Sequence, residues 1–147
     1  MKRNVLLLIA VLILAASCSV GEQVQASIDS AFLNHYITAQ EALAADDFEA
    51  AKAALDQIAG SGTDEEDLRT LASKAARAED SEKMRTAFKP LSEQAVQHSL
   101  PQGMVVAFCP MADDNEGARW IQKDGDVANP YFGEEMLTCG TIEQEGQ

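Results

Sequence analysis

Four sulfur-bearing residues near the C-terminus are the part of this 147-residue chain best suited to chemistry. Cys109-Pro110-Met111 sets a thiol two residues before a thioether. Met136-Leu137-Thr138-Cys139 sets a thioether three residues before a thiol. If the chain folds back near Asn129 to Gly133, the two pairs meet. Cys109, Met111, Met136 and Cys139 then offer up to four sulfur ligands to a metal. Thiolate with thioether selects soft ions such as Cu(I) or Ag(I), whereas zinc favours Cys and His and seldom uses Met. The same two cysteines can instead close a disulfide in an oxidising compartment. A loop of that length would stabilise the fold by roughly 3–4 kcal/mol on the chain-entropy account. Met111 and Met136 would then be flexible core filler.

Other groups carry less. His35 and His98 fall on helical stretches and read as structural or exposed, with His98 placed to cap carbonyls at a helix end. Asp113, Asp114 and Glu116 lack the spacing of a calcium loop and read as a solvated turn. Trp120, Tyr131 and Phe132 read as core of the C-terminal part. No GxSxG, HExxH, P-loop or CxxC motif occurs, and no histidine lies near Cys109 or Cys139 in sequence, so the expectation is a protein that is not an enzyme.

The third cysteine points to a compartment. Lys2 and Arg3 precede an apolar run from Val5 to Ala16. Such a run is short for a membrane span, which needs about 20 apolar residues, and has the form of an export signal. Leu14-Ala15-Ala16-Ser17-Cys18 resembles the lipobox of bacterial lipoproteins, in which the cysteine is lipidated and becomes the new N-terminus. The expectation is a signal peptide over 1–17, lipidation at Cys18, a tether over 18–23 and an anchor in the cell envelope. Ser19 favours the outer membrane, facing the periplasm. Cleavage would remove Lys2 and Arg3 and no acid, taking the formal charge from −13 to −15. So acidic a chain does not bind nucleic acid or anionic lipid through its overall charge.

The elements that must position the sulfurs divide by composition. Residues 24–100 are rich in Ala, Leu, Glu, Asp and Lys, which are mostly good helix formers. Four helices are expected. The first covers about 24–44, with Ile28, Phe32, Tyr36, Ala39 and Leu43 at steps of three and four. The second starts at Asp46 or Asp47, where Asp46-x-x-Glu49 looks like a capping box, and stops at Gly60 and Gly62. The third starts near Thr63, with a similar box to Glu66. The fourth runs from about Asp80 to Ser99, and Pro90 should kink or restart it. Short connections favour an antiparallel bundle, giving one mainly α domain over 24–140. Its C-terminal segment, 101–140, holds three of the four prolines and the remaining cysteines. There Met104 to Phe108 and Arg119 to Gln122 read as short strands. Residues 141–147 read as a disordered acidic end.

The run CPMADDNEGARWIQKDGDVANPYFGEEMLTCG, residues 109–140, resembles the signature of a bacterial family of small periplasmic domains of unknown function. CPMA, GA-W, NPYFG and ML-CG elements recur there in this order. ALAADDFEAAKAAL at 42–55 and RTAFKPLSEQAV at 85–96 are similar to its helical part. Such domains occur alone or attached to Cus-type copper and silver efflux adaptors. The resemblance implies heavy-metal handling through Cys109, Met111, Met136 and Cys139, with an efflux adaptor as partner. Phe108 stands where that family often carries a histidine, which removes a nitrogen ligand. The resulting expectation is a lipid-anchored protein that binds Cu(I) or Ag(I) for buffering or transfer. The alternative is an interaction module of the envelope, cross-linked by a Cys109–Cys139 disulfide and without metal.

Overall fold

The computed structural model describes residues 26–61 and 65–143. The signal over 1–17, Cys18, the tether and Thr63 lie outside the described residues. Four substantial helices and a small antiparallel sheet make the fold helix-rich. Among the described residues no helix is long and apolar enough to cross a membrane.

Helix α1 spans Ser30–Ala44 and buries Phe32, Tyr36, Ala39 and Leu43, the expected stripe. It starts six residues later than expected because Asp29 caps it, its carboxylate accepting from the Phe32 N–H at 2.8 Å. The residues before the cap run alongside the exit of the fourth helix, where Ser27 bridges Ser99 and the Ile28 N–H donates to the Ser99 carbonyl. Helix α2, Phe48–Ala59, is capped by Asp47, which accepts from the Ala50 N–H at 3.0 Å. Asp46 therefore does not form the expected box. It adopts φ +57 and points its carboxylate away, to Arg85 and to the Glu134 N–H.

Helix α3, Glu66–Ala76, has no side-chain cap at Glu65 and buries Leu68, Ala72 and Ala75. Helix α4, Ser81–Ala95, is capped by Asp80 and runs through Pro90 without a restart. Pro90 and Thr86, the residue whose carbonyl loses its partner, are both exposed, so solvent can take the freed bond. The four helices pack in chain order, and α1 and α4 also pack on strand β2.

The sheet has order β2-β1-β3, with β1 at Met104–Cys109, β2 at Ala118–Lys123 and β3 at Thr141–Glu143. β1 pairs antiparallel with β2, Cys109 opposite Ala118, and with β3, Ala107 opposite Ile142. The expected free end at 141–147 is corrected in part. Residues 141–143 form an edge strand, and Arg119 draws Glu143 onto the sheet at 3.1 Å.

Two buried clusters result. The larger is helical and takes in Ile121 of β2. The smaller gathers Ala107, Cys109, Ala112, Ala118 and Trp120. Tyr131 packs on both, tilted against Phe88 (6.3 Å between ring centres) and edge-on to Trp120 (5.9 Å).

Candidate dithiol site

Strand alternation sets the inner side of the site. Side chains point to opposite faces in turn along β1, so Ala107 and Cys109 enter the small cluster together while Phe108 goes to the other face. There the Arg119 guanidinium lies 5.0 Å from the Phe108 ring centre. A histidine at position 108 would share that face, turned away from Cys109.

Cys139 arrives from the other end of a 30-residue loop. Its Sγ lies 2.7 Å from Cys109 Sγ, inside the contact distance of two sulfurs, with no disulfide bond between them. Cys109 is fully buried and Cys139 partly so. The Cys109 thiol beside Cys139, aided by desolvation, pushes the Cys139 thiol up to about 11. At neutral pH Cys139 thus holds its proton.

Three features deliver Cys139. A 3-10 turn at Gly133–Met136 leads into it, and the Cys139 N–H closes on the Met136 carbonyl at 2.9 Å. Asn129, fully buried, donates from Nδ2 to the Cys139 carbonyl at 2.7 Å and accepts at Oδ1 from the Tyr131 N–H at 2.8 Å. Its own N–H donates to the Leu137 carbonyl at 2.7 Å. Gly140 then lets the chain turn down onto β1. It has φ +134, and a Cβ there would lie 2.9 Å from the Phe108 carbonyl oxygen and 3.0 Å from the Trp120 ring.

The loop is also fastened to the helices. Gln40 of α1 donates to the Ala128 carbonyl at 2.7 Å, and Arg85 of α4 donates to the Pro130 carbonyl at 2.9 Å. Gln122 accepts from the Trp120 indole at 3.0 Å and from the Ala128 N–H at 3.1 Å, which fixes the ring beside the cysteines. Asn129, Gln40 and Gln122 had no motif to announce them. The available signal was the NPYFG turn, whose Asn can bond its own backbone two residues on.

The four predicted sulfurs are not placed alike. Cys109 and Cys139 come together across the loop. Met136 is half-buried at the end of the 3-10 turn, joined to Cys139 through the backbone. Met111 is 46% exposed, and Ala112, not Met111, turns into the small cluster. Among the described residues no group of three or more His, Cys, Asp and Glu side chains is arranged to hold a metal ion. His98 bonds the Ala95 carbonyl and Glu65, joining α4 to α3. Asp113 and Glu116 pair with Lys89.

The chemistry open to this pair is that of a dithiol: oxidation to a disulfide, or capture of a soft ion by two thiolates. No protein-family model, no curated protein and no solved structure matches the chain.

Proposed function

We propose that this protein is a lipid-anchored envelope protein whose working centre is the Cys109–Cys139 pair. Reduced, the pair binds one Cu(I) or Ag(I) ion as two thiolates, with Met136 as the thioether closest in chain to Cys139. Oxidised, it closes to a disulfide and is empty. The observation that supports a working centre here is the approach of two unbonded cysteine sulfurs to 2.7 Å across 30 residues of chain, close enough to form a disulfide, so that an ion enters only as the two sulfurs move apart. Two thiols held face to face are the minimum donor set for a soft monovalent ion. The resemblance of 109–140 to domains joined to copper and silver efflux adaptors gives the same direction. It also makes such an adaptor the proposed partner, to which ligand exchange through the part-exposed Cys139 would pass the ion. The helices are taken as an antiparallel bundle, in keeping with their packing in chain order.

The complete burial of Cys109 and the exposure of Met111 favour a second reading. In that reading the disulfide is permanent and the domain is a cross-linked docking module. Thiol labelling after mild reduction separates the two. The first reading expects both thiols to be labelled in a protein that keeps its native circular dichroism, with labelling blocked by one equivalent of Cu(I). Thiols that become reactive only on unfolding, with no protection by Cu(I), would leave the permanent cross-link.

A further inference from the structure

We propose that the flank of α3 around Arg69 is a second binding site, separate from the cysteines, for a phosphate-bearing ligand. The starting point is the charge balance. The chain has 24 acids and 11 Lys or Arg, so a base has carboxylates in excess to meet. Lys83, Arg85, Lys89, Arg119 and Lys123 each pair with at least one. Lys52 donates to the Ala76 carbonyl at the end of α3.

Arg69, Lys74 and Arg77 have no ion pair among the described residues, and all three line one cleft of about 500 Å³. The hydroxyls of Thr70 and Ser73 share that cleft, and Glu66 is its only lining acid. Helical spacing brings them together. Residues 69, 73 and 77 are four apart, as are 70 and 74, so all five lie along one flank of α3.

The second observation is an orphaned donor. Arg69 Nε is buried without a hydrogen-bond partner among the described residues. A buried N–H left unpaired is rare in native proteins, so the Arg69 guanidinium has a donor that a ligand drawing it toward the cleft would satisfy. Among the described residues the bonds that cap the end of α2 come from the chain itself and not from these cations: the Gly60 N–H donates to the Asp56 carbonyl, and the Ser61 N–H and hydroxyl donate to that of Ile58. Two guanidinium forks, one ammonium and two hydroxyls suit a tetrahedral oxyanion with several acceptor oxygens better than a single carboxylate. The ligand chemistry is therefore a phosphate group, free or on a lipid headgroup.

The test is a titration of the purified protein, followed by amide and arginine side-chain NMR, with two probes: inorganic phosphate and soluble dihexanoyl phosphatidylglycerol. Sodium chloride at matched ionic strength is the control. Saturable shifts confined to α3 and the Arg69 Nε–H are expected with at least one probe and not with chloride. Tighter binding of phosphate points to the free anion, and tighter binding of the lipid to a headgroup. Arg77→Gln should weaken binding about tenfold, the scale of one lost charge-assisted contact. Lys74→Gln should weaken it less, and Arg69→Gln should abolish it. Arg77 and Lys74 are exposed, so their variants test the site even if Arg69→Gln unfolds. No saturable shift with either probe, the same shifts with chloride, or unchanged affinity in both exposed variants would overturn the proposal.

Discussion

Asn129 is the residue on which the position of Cys139 most depends. Its amide spans two backbone groups from a fully buried position, so truncation strands the Cys139 carbonyl and the Tyr131 N–H. Asn129→Ala should cost about 2–4 kcal/mol in urea denaturation. Asn129→Asp should also destabilise, because a carboxylate cannot donate to the Cys139 carbonyl. The methionines are expected to differ. Met111→Leu, at an exposed turn, should change stability by less than about 0.5 kcal/mol and leave Cu(I) affinity unaltered. Met136→Leu conserves volume and should keep the fold while lowering Cu(I) affinity in a chelator competition. Equal affinity in both variants would remove thioethers from the site.

Elements were legible where their own side chains decide them. The stripe from Phe32 to Leu43 fixed the buried face of α1, and the β-prone runs at 104–108 and 119–122 are strands as expected, paired with each other. What sequence did not disclose was settled by partners distant in the chain. Asp46 leaves its capping box because Arg85 and the Glu134 N–H, about 40 and 90 residues on, take its carboxylate. Residues 141–143 are too short a run to announce a strand, although Thr141 and Ile142 are β-branched, and become β3 because β1 offers an open edge beside the Arg119–Glu143 pair. The sulfur cluster was half legible. Spacing named both cysteines, but the exposure of Met111 follows from the turn after Cys109, which sends Ala112 inward.

These ties predict pH and backbone effects. The Glu134 N–H and Arg85 hold the Asp46 carboxyl below the ordinary carboxylate range. Its contribution is therefore present above pH 3.8, the ordinary value, and is lost as pH falls through the lowered one. Asp46→Asn should flatten that part of the acid limb in a stability–pH profile. The cost at neutral pH should be under about 1 kcal/mol, because the pair is half-exposed. Gly140→Ala, with φ +134 and a carbonyl in the way, should cost about 2 kcal/mol or more and lower the melting temperature.

At the scale of the molecule, a helical body holds a small sheet by one face, and the sheet carries the thiol pair on the other. Tyr131 joins the two cores, and Gln40 and Arg85 fasten the loop that brings Cys139 home. The sheet itself is small, so the loop from 109 to 139 is where a cross-link acts most. Closing it should add roughly 3–4 kcal/mol, seen as a fall in melting temperature on reduction. The most direct measurement is an anaerobic titration of the reduced protein with Cu(I) against a competing chelator. The account predicts one ion bound per chain, with binding lost in the Cys109→Ser/Cys139→Ser double variant. Binding no stronger than that of the double variant would contradict it.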